Sequence, residues 1–301
     1  KLSLRFGPMV GILKESDYWA RKQDSLTITG AHVQHAIQKR RFRYNLYEEK
    51  MRSSFENESV LLDVEGAIVG QVNALAVYQM GDIAFGRPSR ITAETFMGKP
   101  GIVNIEREAD MSGRTHDKGV MILSGYLGRT FAQHAPLGIS ISLTFEQSYG
   151  PIDGDSASST ELYVILSSLA DLPIQQGIAV TGSVNQKGEI QAIGGVNQKI
   201  EGYFDVCRQK GLTGSQGVMI PKANLTNLML KNEVMDAVRD QKFHIYQVAN
   251  VTEGIQILTG LPAGIADEVG LYPSETVYGR IQEKLKTFHD RARELKQARS
   301  E

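Results

Sequence analysis

Ten residues constrain the rest of the chain: Gly150-Pro151-Ile152-Asp153-Gly154-Asp155-Ser156-Ala157-Ser158-Ser159. They follow an apolar, strand-like run, Ile139 to Phe145, and lead into a helix-like run, Glu161 through Leu169. Two glycines, a proline and two aspartates therefore set a serine at a loop-to-helix junction. The first turn of a helix carries N–H groups without intrahelical partners and a partial positive charge. Both can stabilise an oxyanion beside a serine nucleophile. The competing reading is that Ser156, Ser158 or Ser159 only caps the helix, as serines often do.

At 301 residues the chain has room for about two domains with real cores. A net charge of −1 points to no polyanionic partner, so no nucleic acid is expected. The single cysteine, Cys207, excludes an internal disulfide and a C-x-x-C zinc site, and fits a reducing, cytoplasmic setting. No apolar run approaches the length of about 20 residues that spans a bilayer, and the first residues do not read as a signal peptide. Because the sequence starts at Lys1, a piece of a longer protein is expected.

Residues 1–57 read as helical, with Thr29 as N-cap of a long second helix running towards Phe55. Its basic run Lys39-Arg40-Arg41 with Arg43 reads as a solvated face, and His32 and His35 as structural rather than metal-binding. Residues 58–89 form a β-rich connector. Strands are predicted at Val60–Val64, Ala67–Tyr78, Ile83–Phe96 and Gly101–Glu108, with turns at Gly81-Asp82 and Gly98-Lys99-Pro100-Gly101. Then come helix 115–134, strand 139–146, helix 157–170 and strand 177–184. A tight turn at Asn185-Gln186-Lys187-Gly188 leads into residues 189–193, ahead of helix 196–210. Strand 217–220, helix 232–240, strand 243–248 and helix 252–259 complete the main body. This mixture predicts an α+β (mixed α/β) fold. The charged segment 263–301 ends in a helix whose seam, Ile281, Leu285, Phe288, Ala292 and Leu295, docks on its own chain or on a neighbour.

A serine hydroxyl needs a base. An α/β-hydrolase elbow, G-x-S-x-G, has its first glycine in Gly154 but Ser158 where the second belongs, and would need His244 or His289 downstream. A serine–lysine dyad needs a lysine kept neutral by burial. Lys199 qualifies: it opens a helix after Gly194-Gly195, beside the stripe Ile200, Phe204 and Cys207. A third reading makes the loop structural and the chain an assembly or substrate-docking module.

The stretch Tyr149 to Ser158 resembles the active-site serine motif of the Lon protease family. The block Val180-Thr181-Gly182-Ser183-Val184 through Gly188 to Ile200 resembles that family's lysine motif, and 43 residues separate Ser156 from Lys199, as in the family. The resemblance covers residues 90–262. It implies a Lon-type proteolytic domain with mixed sheets and flanking helices, with Ser156 as nucleophile and Lys199 as general base. Thr181 would bond near the lysine, and the backbone of Ser156 and Ala157 would hold the oxyanion. Asp153 and Asp155 match acidic or polar positions that vary among Lon branches. A carboxylate beside Lys199 would raise its pKa and oppose base catalysis. The expectation is that Asp153 holds an inactive state in which its loop blocks the dyad. Ser158, where the commonest bacterial pattern has glycine, points to the Lon B-like branch.

The helices of residues 1–57 resemble the end of an AAA+ lid, through Ile28-Thr29-Gly30-Ala31-His32-Val33. No G-x-x-x-x-G-K-[ST] loop occurs, so ATP and Mg are expected only through a module outside these 301 residues. The resemblance further implies unfolded polypeptide substrates and a homo-hexameric ring.

Overall fold

Alternation of β-prone and helix-prone runs gives a layered α+β structure. The computed structural model describes residues 6–81, 83–98, 101–133 and 135–298. Asp82, Lys99 and Pro100 of the expected turns, His134 at the end of an expected helix, and Arg299 to Glu301 lie outside them. The chain divides into two compact units, one of residues up to Ser54 with 79–84, the other of 55–78 with 85 onward.

In the first unit, α1 (Phe6–Lys22) packs on α2 (Gly30–Tyr44). Trp19 meets the His35 ring edge-on at 4.4 Å. His32 serves the helix start, since Nδ1 accepts from Thr29 N at 3.1 Å. The expected long second helix breaks at Asn45, and α3 (Leu46–Glu56) follows. Asparagine offers backbone groups an alternative partner and weakens a helix interior. Arg41 pairs with Glu48 and Arg43 with Glu15, so part of the basic run serves internal ion pairs.

The second unit is built on a seven-stranded sheet. Its strands are β2 (Gln71–Met80) and β3 (Ile83–Met97), apart from their 79–84 ends, with β4 (Gly101–Asn104), β5 (Ile139–Phe145), β7 (Ile178–Val180), β10 (Gly217–Pro221) and β11 (His244–Val248). Their order is β11-β10-β7-β2-β3-β5-β4. β7 runs parallel to both β2 and β10, and β10 parallel to β11, whereas β3 and β5 are antiparallel. Two small ladders join β1 (Ala67–Val69) to β6 (Pro173–Gln175) and β8 (Ser183–Val184) to β9 (Ile190–Gln191).

Helix α6 (Ser158–Ala170) is buried along its whole length. Leu162, Tyr163, Ile165, Leu166 and Leu169 are fully enclosed, which places the helix at the centre of the core. Around it stand α5 (Arg114–Phe131), α9 (Val251–Thr259) and α10 (Val277–Ala298). The C-terminal seam docks on its own chain through Ile281, Leu285 and Phe288, while Leu295 stays exposed. Lys284 Nζ donates to Ser168 O at 2.8 Å.

Four expected strands come out differently. Val60–Val64 is irregular because side chains take its backbone groups: Leu61 N donates to Gln147 Oε1, and Asp63 O accepts from Asn73 Nδ2. Ala67–Tyr78 splits at Gly70, whose φ of +67° only glycine adopts readily. Gly101–Glu108 stops at Asn104, whose side chain accepts from Arg107 N and starts the one-turn α4 (Ile105–Glu108). Strand 177–184 breaks at Thr181-Gly182, where the candidate site begins.

Candidate active site

The parallel strand β7 ends at Val180 and delivers Thr181 to the carboxyl end of the central strands. Carboxyl ends of parallel strands are where open α/β sheets leave a crevice. The serine loop is stitched to this end. Ser156 O accepts from Gly182 N at 2.9 Å and Thr181 Oγ1 at 3.2 Å, and Ser159 N donates to Gly182 O at 3.1 Å. Inside the helix, Thr160 Oγ1 donates to Val180 O at 3.1 Å. Ser158 Oγ, fully buried, accepts from Val184 N at 3.0 Å. A glycine at position 158 could not make that tie.

The helix α7 (Val196–Lys210) brings Lys199 in from the opposite side. Gly195, at φ +67°, turns the chain into it, and a Cβ there would lie 2.6 Å from Val77 Cγ2. Gly202 and Gly86 meet backbone to backbone, so a Cβ on either would collide with the other's helix or strand. That close approach seats the helix directly on β3. Asn224 holds the preceding loop, accepting from Ile193 N and donating to Ile193 O.

Lys199, 2% exposed, extends Nζ to 2.8 Å from Ser156 Oγ and to 2.8 Å from Thr181 Oγ1. Burial pulls its amine from an ordinary 10.5 down to about 8, against the opposing pull of the Asp155 carboxylate. Desolvation disfavours the ammonium, so the neutral amine is accessible near physiological pH. Its lone pair then faces Ser156 while an N–H still serves Thr181. Ser156 does not cap α6, which begins two residues later at Ser158 with Ala157 in the cap position. Among the described residues, no acceptor meets the backbone N–H of Ser156 or Ala157.

The two aspartates of the loop have different partners. Asp153 turns away from the lysine: Oδ1 accepts from Gly154 N at 2.8 Å, Thr115 N at 3.2 Å and His116 N at 3.3 Å. The bond from Gly154 N, with those from His116 and Thr115, holds its carboxyl below the ordinary 3.8. The unpartnered amides at the start of α5 attract that carboxylate more directly than a buried amine that is easily deprotonated. The loop therefore leaves the Ser156–Lys199 contact formed. Asp155 is the carboxylate that Lys199 feels, and its Oδ2 accepts from Ser183 Oγ at 2.9 Å.

A cleft of about 290 Å³ opens over the pair, walled by Ala74 to Tyr78 of β2, Phe145, Ile152 and Gly194-Gly195. Neither histidine of the elbow reading reaches Ser156: His244 Nε2 bonds Gly214 O at 2.8 Å, and His289 lies on α10. Among the described residues, no cluster of three or more His, Cys, Asp or Glu could hold a metal, and no helix is long and apolar enough to cross a membrane. Sequence reasoning passed over Ser158's bond, Asn224 and the buried pair His116 and Glu161. Only the polar character of Glu161 within an apolar helix run could have flagged that pair.

Fold and site together define an α+β domain in which a loop serine is bonded to a buried lysine at the end of a parallel strand. Residues 119–259 match the Lon protease (S16) C-terminal proteolytic domain, and residues 1–43 match the archaeal LonB AAA+ ATPase LID domain. A putative Lon protease homolog of Escherichia coli (strain K12) is 42% identical over 252 residues, covering 83% of this chain and 43% of that protein. One from Haemophilus influenzae is 37% identical over 88% of this chain and 47% of its own length. An archaeal Lon protease of Archaeoglobus fulgidus is 27% identical over 85% of this chain and 38% of its own. The chain belongs to the Lon protease family. It spans less than half the length of each of these relatives.

Proposed function

We propose that this chain is the peptide-cleaving part of an ATP-dependent Lon-type protease, a serine endopeptidase acting on unfolded polypeptide inside a homo-hexameric ring in the cytoplasm. The observation that carries the reading is the buried Lys199 Nζ at 2.8 Å from Ser156 Oγ. In the first step Ser156 Oγ forms a bond to the scissile carbonyl carbon as its proton passes to Lys199 Nζ. The N–H groups of Ser156 and Ala157 face the developing oxyanion. Lys199 then gives the proton to the leaving amine as the C–N bond breaks. Water, deprotonated by the same amine, hydrolyses the ester. Thr181 keeps the lysine directed at the serine throughout.

β2 supports a mode of substrate binding. It pairs with β7 only at Asn73 and Ala74, so the segment after Ala74 enters the cleft free of that neighbour. An extended peptide can add there through main-chain bonds, which tolerate many sequences. ATP and Mg would act through an AAA+ module outside this chain.

Cleavage of casein and a fluorogenic peptide by wild type, Ser156→Ala, Lys199→Ala and His244→Ala tests the assignment. The first two substitutions are expected to lower the rate about a thousandfold or more, and the third to leave it unchanged. Equal rates in all four would refute the dyad. An assembled wild type without turnover would favour a silent ring-forming or docking module.

A further inference from the structure

Behind the serine loop lie polar groups that the reaction as written does not use. Glu161, in the first turns of α6, is completely buried, and neither carboxyl oxygen has a hydrogen-bond partner. His116 Nε2 stands 3.4 Å from Glu161 Oε1, without hydrogen-bond geometry. His116 is itself 1% exposed. Its main-chain N–H goes to Asp153, and the Gly154 backbone faces its ring as an acceptor. The imidazole therefore stands between α6 and the residues just before Ser156. An unpartnered buried carboxyl is costly, and a leucine would pack there more favourably.

We propose that His116 and Glu161 are positioning residues for the Ser156–Lys199 reaction, a buried strut from α6 through the imidazole to the backbone of the serine loop. The proposal rests on the proteolytic reading above. Asn104 Nδ2 approaches Nε2 at 3.5 Å as a donor, which makes Nε2 the accepting nitrogen. A protonated Glu161 that closes its gap can take the place of Asn104 as the donor to that nitrogen. The ring proton then sits on Nδ1 and is available to Gly154 O. Loss of the Glu161 proton reverses this arrangement: a carboxylate only accepts, the ring proton moves to Nε2, and the loop carbonyl loses its donor.

The surroundings favour the protonated form. Burial raises the Glu161 carboxyl to about 8, and the Glu106 charge adds to the shift. Burial also lowers the pKa of His116, against the opposing influence of Glu106, Asp117, the Gly154 backbone and Asp153. The charged groups facing the pair, from α4, α5 and the serine loop, are thus all acidic. Glu106 is further engaged through Oε1, which accepts from Thr144 Oγ1 at 2.8 Å and Phe145 N at 2.7 Å.

The test measures peptide cleavage, and labelling by a serine-reactive fluorophosphonate, across neutral to alkaline pH in the assembled protein. Ser156→Ala must abolish both; if it does not, the proteolytic reading itself fails. With that control in place, wild type should rise as Lys199 loses its proton and fall as Glu161 ionises. Glu161→Gln, whose amide donates as the acid does, should keep kcat at neutral pH within about twofold and lose the alkaline fall. Glu161→Leu should lower kcat about tenfold or more with KM little changed and no drop in Tm. Wild-type kcat in Glu161→Leu, or an alkaline fall that persists in Glu161→Gln, would overturn the strut. Glu161→Gln decides the matter alone if the leucine variant does not fold.

Discussion

The two sides of the candidate site are positioned by different physics. On the serine side, α6 and its loop are held by hydrogen bonds: Thr181 and Gly182 on the Ser156 carbonyl, Ser158 on Val184, and Asp153 on the start of α5. On the lysine side, α7 is seated by contact, with Gly202 against Gly86 and Gly195 against Val77. Hydrogen bonds can be redistributed when one is lost, and some depend on pH. A backbone-to-backbone contact has no such latitude, because packed interiors yield little to an added methyl group. The difference suits the chemistry proposed above. The amine must stay dry to remain neutral, whereas the serine loop must admit a peptide.

The contrast breaks most readily on the lysine side. Gly202→Val is expected to push α7 off β3, lower kcat about a hundredfold and destabilise the fold by about 1–3 kcal/mol. Near-normal activity and Tm would show that the contact does not set the lysine. A smaller effect is expected from Asp153→Ala, which removes one acceptor from three amides. Steady-state kinetics should show kcat down about tenfold, with the alkaline limb in place. The sign of its linkage keeps it out of that range. A depressed carboxyl contributes stability above its unfolded pKa and loses it only as pH falls through the lower folded value. An increase in activity would mean that Asp153 restrains the site, as the resemblance implied.

Composition raised Ser156 and Lys199 as candidates, and the resemblance to the Lon family chose the two together and supplied Thr181. A glycine-rich loop between two apolar runs marks a junction, and an apolar stripe beside Lys199 marks burial. The blocking role expected of Asp153 came from the resemblance, and in this structure its carboxylate goes instead to the N–H groups of Gly154, Thr115 and His116. Val60–Val64 has strand-forming residues, but Gln147 and Asn73, distant in sequence, take its backbone groups. The break at Asn104 came from local polar competition, its side chain taking Arg107 N, whereas at Thr181-Gly182 the partners are Ser156 and Ser159, distant in sequence. Contacts such as Gly86 with Gly202 leave no trace in periodicity, since a glycine looks the same whether it frees the chain or admits a neighbour.

The central claim is that Lys199 serves as a neutral base because burial lowers its pKa while Asp155 resists. Its most direct test is the fluorophosphonate labelling rate of Ser156 against pH in wild type and Asp155→Asn. The ascending limb, read with Glu161→Gln also present in both proteins so that no alkaline fall overlaps it, should lie near pH 8 and move to lower pH with Asp155→Asn, because removing the carboxylate removes a charge that favours the ammonium. A limb at the ordinary lysine value of 10.5, or one unmoved by Asp155→Asn, would contradict the account.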